Sequence, residues 1–166
     1  MDWLQEAELR EEETETALNQ YLTFAVSEQF FGISISDVVE IISLCPIAQV
    51  PQFSGYAKGI INLRGRIIPV VDVRLRFHLP EKEYDGRTCI IITNINELDI
   101  GFIVDEVREV MDIDPADVEP APKLTASYAH RFITGVGKRS DKMILLLDSQ
   151  RLLNEEETAA LDVTQM

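Results

Sequence analysis

The stretch GIINLRGRIIPVVDVRL, residues 59–75, aligns without gaps on GVGKRSDKMILLLDSQR, residues 135–151. Three glycine or charged positions coincide at one constant offset: Gly59 with Gly135, Arg66 with Lys142, and Asp72 with Asp148. Aliphatic runs resemble one another by chance, but chance does not place glycines and charged residues in register. The alignment therefore indicates an internal repeat.

An earlier pair of segments repeats in the same order. GISISDVVEI, residues 32–41, aligns on GFIVDEVREV, residues 101–110. The positions that coincide are Gly32 with Gly101, Val38 with Val107, Glu40 with Glu109, and Ile41 with Val110. Each half thus contains a strand, a strand led by glycine, a V-x-E-[IV] stretch, a loop with prolines, and a strand–turn–strand unit ending in aspartate.

The hydrophobic pattern predicts a mainly β protein. QYLTFAV, residues 20–26, alternates in the manner of a strand with one buried face. CIIITNI (89–95) and LDIGFIVDEV (98–107) read as a hairpin around Asn96–Glu97. KMILLLD, residues 142–148, is almost wholly apolar and predicts a central strand.

A unit of about sixty residues with about five short strands has the size of a small closed barrel, which leaves no open sheet edge. We therefore predict two similar five-stranded β-barrels packed together, with the chain ends crossing between them. The first subdomain covers about 19–86 and the second about 87–148. A C-terminal helix follows over about 149–161, carrying Leu152 and Leu153 and capped by Asp148 or Ser149.

Charge and length narrow the possible functions. The chain has 166 residues and a net charge of −14, and residues 1–18 contain seven acids against Arg10. We expect this acidic N-terminal extension to be helical or disordered. An acidic field repels phosphate groups, so nucleic acid is not an expected partner. No apolar run approaches the roughly 20 residues of a membrane span, and no signal peptide opens the sequence, so we expect a cytoplasmic protein without direct membrane insertion.

The residue types that carry catalysis are scarce. His78 and His130 have no nucleophile motif near them, and Cys45 and Cys89 lack the spacing of a zinc site. Three aspartates each follow an aliphatic strand, where this residue is typical of turns and caps: Asp72, Asp105 and Asp148. We assign no catalytic site, no metal site and no cofactor.

Two features of the sequence each have a structural explanation and an alternative one in which they bind another protein. Arg64 and Arg66 flank Gly65 in a tight turn, where glycine accommodates a positive φ, so both side chains are expected in solvent. They either prevent unwanted strand pairing or contact a partner. The aliphatic residues of 38–42 follow neither a strand nor a helix period, so some of them point away from a single core face. Packing between the barrels and an apolar groove rimmed by Glu40 and Arg64 are both consistent with this pattern.

Four segments together closely resemble the CheW family of bacterial chemotaxis coupling proteins. They are VVEII (38–42), PQFSGYAKGIINLRGRIIPVVDVR (51–74), DEVREVMDI (105–113) and YAHRFITGVGKRSDKMILLLDSQRLL (128–153). The resemblance runs from about Gln20 to Leu161. It implies a non-enzymatic adaptor of two SH3-like barrels. Such an adaptor links the cytoplasmic tip of chemoreceptors, the methyl-accepting chemotaxis proteins, to the regulatory domain of the chemotaxis histidine kinase. It is recruited from the cytoplasm to receptor arrays at the membrane, often at the cell pole.

The resemblance also implies which residues face the receptor. Carried over by position, they are Val38, Glu40, Gly59, Arg64, Val110 and Gly135. The valines offer apolar contact to a receptor helix, and Glu40 and Arg64 supply polar contacts to the receptor and to each other. The glycines keep backbone close and side chains out of the way. The kinase is expected on the first subdomain, with the aliphatic residues of 33–50 as candidates.

Other functions make different demands on the sequence. A CheW-like scaffold of another two-component signalling array has the same motifs, and only the identity of its partners separates it. An enzyme or ligand-binding barrel requires a polar pocket with titratable groups. A nucleic-acid-binding barrel requires a basic face with exposed aromatic residues.

Overall fold

The computed structural model describes residues 19–121 and 131–163, so the acidic extension of residues 1–18 lies outside the described residues. This part of the chain is mainly β. Its strands are β1 (Gln20–Val26), β2 (Gln29–Ser34), β3 (Val38–Ser43), β4 (Ala57–Leu63), β5 (Arg66–Asp72), β6 (Cys89–Ile95), β7 (Leu98–Val104), β8 (Glu106–Asp112), β9 (Val118–Pro120), β10 (Ile133–Arg139) and β11 (Lys142–Leu147).

The strands form two sheets, one with six strands in the order β8-β1-β2-β11-β10-β9 and one with five in the order β3-β6-β7-β5-β4. Each sheet curls, because the chain that leaves one edge strand pairs with the opposite side of the same sheet. After β3, Ala48 exchanges two backbone hydrogen bonds of 2.9 Å with Ile60 of β4. After β8, β9 pairs with β10. We call the two curled sheets the five-stranded and the six-stranded barrel.

The predicted repeat is present, but the two barrels exchange strands. The first repeat is β1 to β5, and the second is β6, β7, β8, β10 and β11. The six-stranded barrel takes β1 and β2 from the first repeat, and the five-stranded barrel takes β6 and β7 from the second. The division therefore differs from the predicted one between 19–86 and 87–148.

Two parallel strand pairs join the repeats and account for this exchange. β11 pairs with β2, and β5 pairs with β7. The chain passes between the barrels at the short 3-10 helix Ile35–Asp37 and again at Asp105, which interrupts the single strand predicted over 98–107. Consecutive residues of β6 and β7 are thus buried, because one face of these strands lies inside the five-stranded barrel and the other lies against the six-stranded barrel.

The buried apolar side chains form three clusters, one inside each barrel and one between the two barrels. One fills the five-stranded barrel and includes Ile61, Ile90 and Ile103, and a smaller one around Ile144 and Leu146 fills the six-stranded barrel. The largest combines residues of both barrels: Leu22, Phe24 and Phe31 with Ile91, Phe102 and Val104. Burying one such side chain contributes about 1.5–3 kcal/mol, so this shared cluster holds the barrels together.

The C-terminal segment is not the continuous helix predicted over 149–161. Ser149–Arg151 form a 3-10 helix capped by Asp148, and the α-helix begins only at Glu155 and ends at Leu161. The interruption has a local cause, since the side chain of Asn154 accepts a hydrogen bond from the backbone N–H of Glu157, and the Glu157 carboxylate accepts one from Asn154. Leu152 and Leu153 lie in the interruption and are buried.

Arg76, at the end of the short helix Val73–Arg76, fixes the C-terminal helix to the barrels. Its side chain is buried and donates to the backbone carbonyl of Leu152 at 2.7 Å and to Glu157 at 3.2 Å. The guanidinium lies 4.9 Å from the ring centres of both Tyr56 and Phe132. Across residues 19–121 and 131–163, no helix has the length and apolar character needed to cross a membrane.

Candidate partner-binding surface

The turn between β4 and β5 has the conformation that the sequence predicts. Arg64 and Gly65 both have positive φ, 52° and 87°, as expected for the central residues of a tight β-hairpin turn. The side chain of Asn62 accepts a hydrogen bond of 2.8 Å from the N–H of Gly65. The turn therefore holds Arg64 in a fixed position, with 67% of its side chain exposed.

Arg64 makes a bidentate ion pair with Glu40 of β3. Its two terminal nitrogens donate to the two carboxylate oxygens of Glu40 at 3.0 and 2.6 Å. The hydrogen bond from Arg64 holds the pKa of Glu40 below its usual value, and the nearby charge of Arg66 acts in the same direction. Glu40 is thus a carboxylate throughout the neutral range, and the predicted contact between Glu40 and Arg64 is confirmed.

Arg66, on the other side of Gly65, forms an ion pair with Asp99 of β7. Asp99 also accepts a hydrogen bond of 3.0 Å from the side chain of Asn94. The two arginines of the turn therefore contact acids on two different strands. Arg66 remains half-exposed, as expected for a residue that keeps a turn soluble, but its charge is matched within the barrel.

Gly59 and Gly135 are both buried, and the space beside each is filled by the chain itself. A Cβ on Gly59, whose φ is +150°, would lie 2.2 Å from the backbone oxygen of Ala48. A Cβ on Gly135 would lie 3.1 Å from the backbone oxygen of Glu119. The two glycines thus allow a close approach of neighbouring backbone within each barrel. The close backbone approach agrees with the expectation that these glycines keep backbone close and side chains out of the way. Their place in a receptor-facing surface stays a prediction.

Val38 and Val110 lie in different barrels. Val38 is half-buried on β3, two residues before Glu40, and packs against the cluster shared by both barrels. Val110 is 48% exposed on β8, an edge strand of the six-stranded barrel. Of the six predicted residues, the structure therefore brings Glu40 and Arg64 into direct contact and places Val38 near them. Val110 and Gly135 belong to the other barrel.

Large apolar side chains are exposed on both barrels. They are Val39 (50%), Ile41 (40%), Ile67 (46%), Val110 (48%) and Met143 (60%). The irregular pattern of residues 38–42 predicted that some aliphatics there point outward, and Val39 and Ile41 do so. The exposure of Ile67 and Met143 was missed, because each lies in an aliphatic run that is typical of a central strand.

The three aspartates at strand ends have structural contacts, as predicted for caps and turns. Asp72 accepts hydrogen bonds from the N–H of Arg74 at 2.9 Å and from the hydroxyl of Tyr84 at 2.7 Å, and Asp148 caps the following 3-10 helix. Asp105 pairs with the Arg74 guanidinium at 2.7 and 2.8 Å. In the described ranges, no group of three or more His, Cys, Asp or Glu side chains is arranged to hold a metal ion.

Known proteins share this fold and sequence. A family model described as CheW-like domain matches residues 20–157. The chain is 32% identical over 148 residues to the chemotaxis protein CheW of Klebsiella aerogenes, with 89% of each chain covered. It is 31% identical over 137 residues to the chemotaxis protein CheW of Bacillus subtilis, covering 82% of this chain and 88% of that one.

A solved structure gives the same result. The crystal structure of the scaffolding protein TtCheW from Thermoanaerobacter tengcongensis matches with a TM-score of 0.76 and 35% sequence identity, covering 84% of this chain and 96% of that one. A match over 84% of the chain includes residues of both barrels. The chain belongs to the CheW-like domain family, whose members act as non-enzymatic scaffold proteins in chemotaxis signalling.

Proposed function

We propose that this protein couples chemoreceptors to the chemotaxis histidine kinase. It binds the cytoplasmic tip of the receptors and the regulatory domain of the kinase, and it joins receptor arrays at the membrane. The observation that carries the proposal is the bidentate Glu40–Arg64 pair in the five-stranded barrel, on a strand whose opposite face carries the exposed side chains of Val39 and Ile41. Exposed apolar side chains and arginines held in place by the fold are both typical of protein-binding surfaces.

The arrangement suits an adaptor because it recognises a partner without acting on it chemically. The turn and its hydrogen bond to Asn62 hold Arg64 in place, so little conformational entropy is lost when a partner binds. The exposed aliphatic side chains supply area that a helical receptor tip would cover. Val38 and Val110 complete the proposed receptor-facing set, with Gly59 and Gly135 shaping the strands beneath it.

The test is a reconstitution of kinase activity with receptor-containing membranes. Wild type is compared with Arg64→Ala, and with Arg151→Ala, which also removes an exposed arginine that forms an ion pair. We expect wild type and Arg151→Ala to stimulate the kinase and Arg64→Ala to lose most of the stimulation, while circular dichroism shows that all three are folded.

Two results would argue against the proposal. Full stimulation by Arg64→Ala would remove Arg64 from the coupling surface and leave it as a residue that keeps the turn soluble. A wild-type protein that stimulates no chemotaxis kinase would favour a scaffold in another two-component signalling array, and binding to the kinase and receptors of that array would identify it.

A further inference from the structure

The two repeats place equivalent side chains at the end of each barrel, but their charges differ. In the five-stranded barrel, the turn residues Arg64 and Arg66 pair with Glu40 and Asp99. All four charges of this set are therefore matched within the chain.

The six-stranded barrel has only half of this set. At the constant offsets of the repeat, Ser140 replaces Arg64 and Phe30 replaces Asp99, while Glu109 and Lys142 keep the charges of Glu40 and Arg66. The backbone at this turn is nevertheless alike, since φ is 56° at Ser140 and 52° at Arg64. Each ion pair has thus lost one member, an arginine in one case and an aspartate in the other.

Nothing in the described part of the chain replaces the lost members. Neither the Glu109 carboxylate nor the Lys142 ammonium has a hydrogen bond or an ion pair with any residue of 19–121 or 131–163. The backbone of Glu109 is held by Thr23, whose hydroxyl donates to its carbonyl at 2.7 Å and accepts from its N–H at 3.1 Å. The carboxylate therefore projects from a fixed backbone.

A cleft of about 270 Å³ opens at this place. It is lined by Glu109, Val110, Met111, Arg139, Ser140 and Lys142. It lies between Glu109 and Ser140, the positions that the Glu40–Arg64 pair bridges in the other barrel. The guanidinium of Arg139 is already engaged, since it donates to the backbone carbonyl of Asp112. We call this feature the Glu109–Lys142 cleft.

We propose that the Glu109–Lys142 cleft is a specificity site for the receptor. The receptor segment that occupies it presents a basic side chain to Glu109 and an acidic one to Lys142, beside an apolar side chain that covers Val110. This inference rests on the proposed function, because Val110 belongs to the proposed receptor-facing set. A second copy of the chain fits less well, because its corresponding arginines, Arg64 and Arg66, are already paired.

Charge selection follows from the geometry. A receptor with the complementary charges replaces the solvent at Glu109 and Lys142 with two ion pairs, whereas a receptor with the opposite charges meets two repulsions. The apolar contact to Val110 is common to both. The cleft thus distinguishes receptors by charge. The end of the five-stranded barrel does not, because its four charged side chains are already paired with one another.

The sharpest test is Ser140→Arg, which supplies within the chain the guanidinium that this barrel lacks. Arg64 shows that arginine is accommodated at this backbone conformation. We expect Ser140→Arg to pair with Glu109 and to weaken binding to a purified receptor cytoplasmic fragment about tenfold, which equals about 1.4 kcal/mol. Ser140→Gln, which is long but neutral, is the matched control and should bind the fragment as wild type does.

Charge variants test the two residues separately. Glu109→Lys and Lys142→Glu should each weaken binding of the receptor fragment about tenfold. Lys138→Glu is the control, because it makes the same charge change on the preceding strand at a lysine that pairs with Glu119 at 2.7 Å. Binding of the kinase regulatory domain, measured in parallel by calorimetry, should be the same for all variants.

Each contrary result has a distinct meaning. This inference would be overturned if Ser140→Arg and both charge variants bind the receptor fragment as wild type does. The proposed function would remain intact if Arg64→Ala binds that fragment more weakly. If these variants weaken binding of the kinase instead, the cleft is a binding site for the kinase. If wild type sediments as a dimer and the variants do not, the cleft binds a second copy of this chain. Wild type that binds neither partner would overturn the proposed function and this inference together.

Discussion

Arg64 and Glu40 form a bidentate ion pair that connects opposite sides of the five-stranded barrel. Glu40 lies on β3, at one edge of the sheet, and Arg64 lies in the turn that follows β4, at the other edge. The pair is exposed, and exposed ion pairs contribute little to folding stability because water solvates both ions well. Its exposure and the fixed turn that holds Arg64 therefore favour a role in recognition over one in stability.

A double-mutant cycle separates these roles. We expect Arg64→Ala, Glu40→Ala and the double variant to unfold in urea at nearly the wild-type midpoint, because solvent replaces the lost pair. Binding of the receptor fragment should fall in both single variants. A large coupling between the two substitutions in urea unfolding would contradict this expectation and make the pair a structural latch across the barrel.

Gly59→Ala should destabilise the fold rather than remove a contact with a partner. The new Cβ would lie 2.2 Å from the backbone oxygen of Ala48, so the bridge between Ala48 and Ile60 has to open. We expect a loss of about 3 kcal/mol or more in the free energy of unfolding, measured by urea denaturation. Gly86→Ala is the control, since a Cβ there meets no atom within 4 Å. Equal stability of the two variants would show that the barrel admits a side chain at Gly59.

Thr93→Val should stabilise the protein by about 1 kcal/mol, because a buried hydroxyl without a partner costs free energy that a methyl group does not. The Thr93 hydroxyl is fully buried and has no hydrogen-bond partner within residues 19–121 and 131–163. It lies among the apolar residues Phe24, Ile91 and Phe102.

Thr23→Val provides the opposite case for the same chemical change. Thr23 is equally buried, but its hydroxyl both donates to and accepts from the backbone of Glu109. This variant should lose about 1–2 kcal/mol. Urea denaturation of both variants measures the contrast, and a loss of stability in Thr93→Val would indicate that the hydroxyl has a partner in the folded protein.

Asp105→Asn should weaken the junction between the barrels in a pH-dependent way. Burial raises the pKa of Asp105, but hydrogen bonds from Arg74 and from the backbone N–H of Ser27 outweigh it, so the pKa lies below its usual value. A carboxyl group with a lowered pKa contributes stability above its unfolded pKa of about 3.9, and this contribution is lost as the pH falls through the folded pKa.

The corresponding measurement is urea denaturation between acidic and neutral pH. At neutral pH, Asp105→Asn should lose about 2 kcal/mol, because the asparagine cannot make the charged hydrogen bonds to Arg74. The difference from wild type should shrink below about pH 4, where the carboxyl of the unfolded chain binds a proton before that of the folded protein does. Asp117→Asn, at an exposed site, is the control. A difference that stays constant with pH would show that the charge of Asp105 does not contribute.

Much of the fold could be predicted from local sequence. The alternation of residues 20–26, the hairpin around Asn96–Glu97 and the turn at Gly65 depend on neighbouring residues alone, and the structure has all three. The gap-free alignment of 59–75 on 135–151 predicted the duplication. The C-terminal helix was predicted too long, because the cap formed by Asn154 and Glu157 inside the segment was not recognised.

The candidate site could be predicted only in part. The sequence placed Arg64 in an exposed turn, and the resemblance to a family of known proteins associated it with Glu40. Neither could show that Gly59 and Gly135 are packed against their own barrels, since Ala48 and Glu119 approach them only after the sheets curl. The exposure of Met143 could not be predicted either. Its strand is central in the sheet, and only the tertiary structure shows that its side chain points to solvent.

By itself, the sequence determined that this protein is built from two similar β units, because strand periods, turn glycines and the repeat are local properties of the chain. Only the tertiary structure decided which strands share a barrel, because the parallel pairings of β2 with β11 and of β5 with β7 join residues far apart in sequence. It also decided which charges are matched. Arg64 pairs with Glu40 across the five-stranded barrel, whereas Glu109 lies across a cleft from Ser140 in the six-stranded barrel. These residues come together only when the edges of each sheet approach each other.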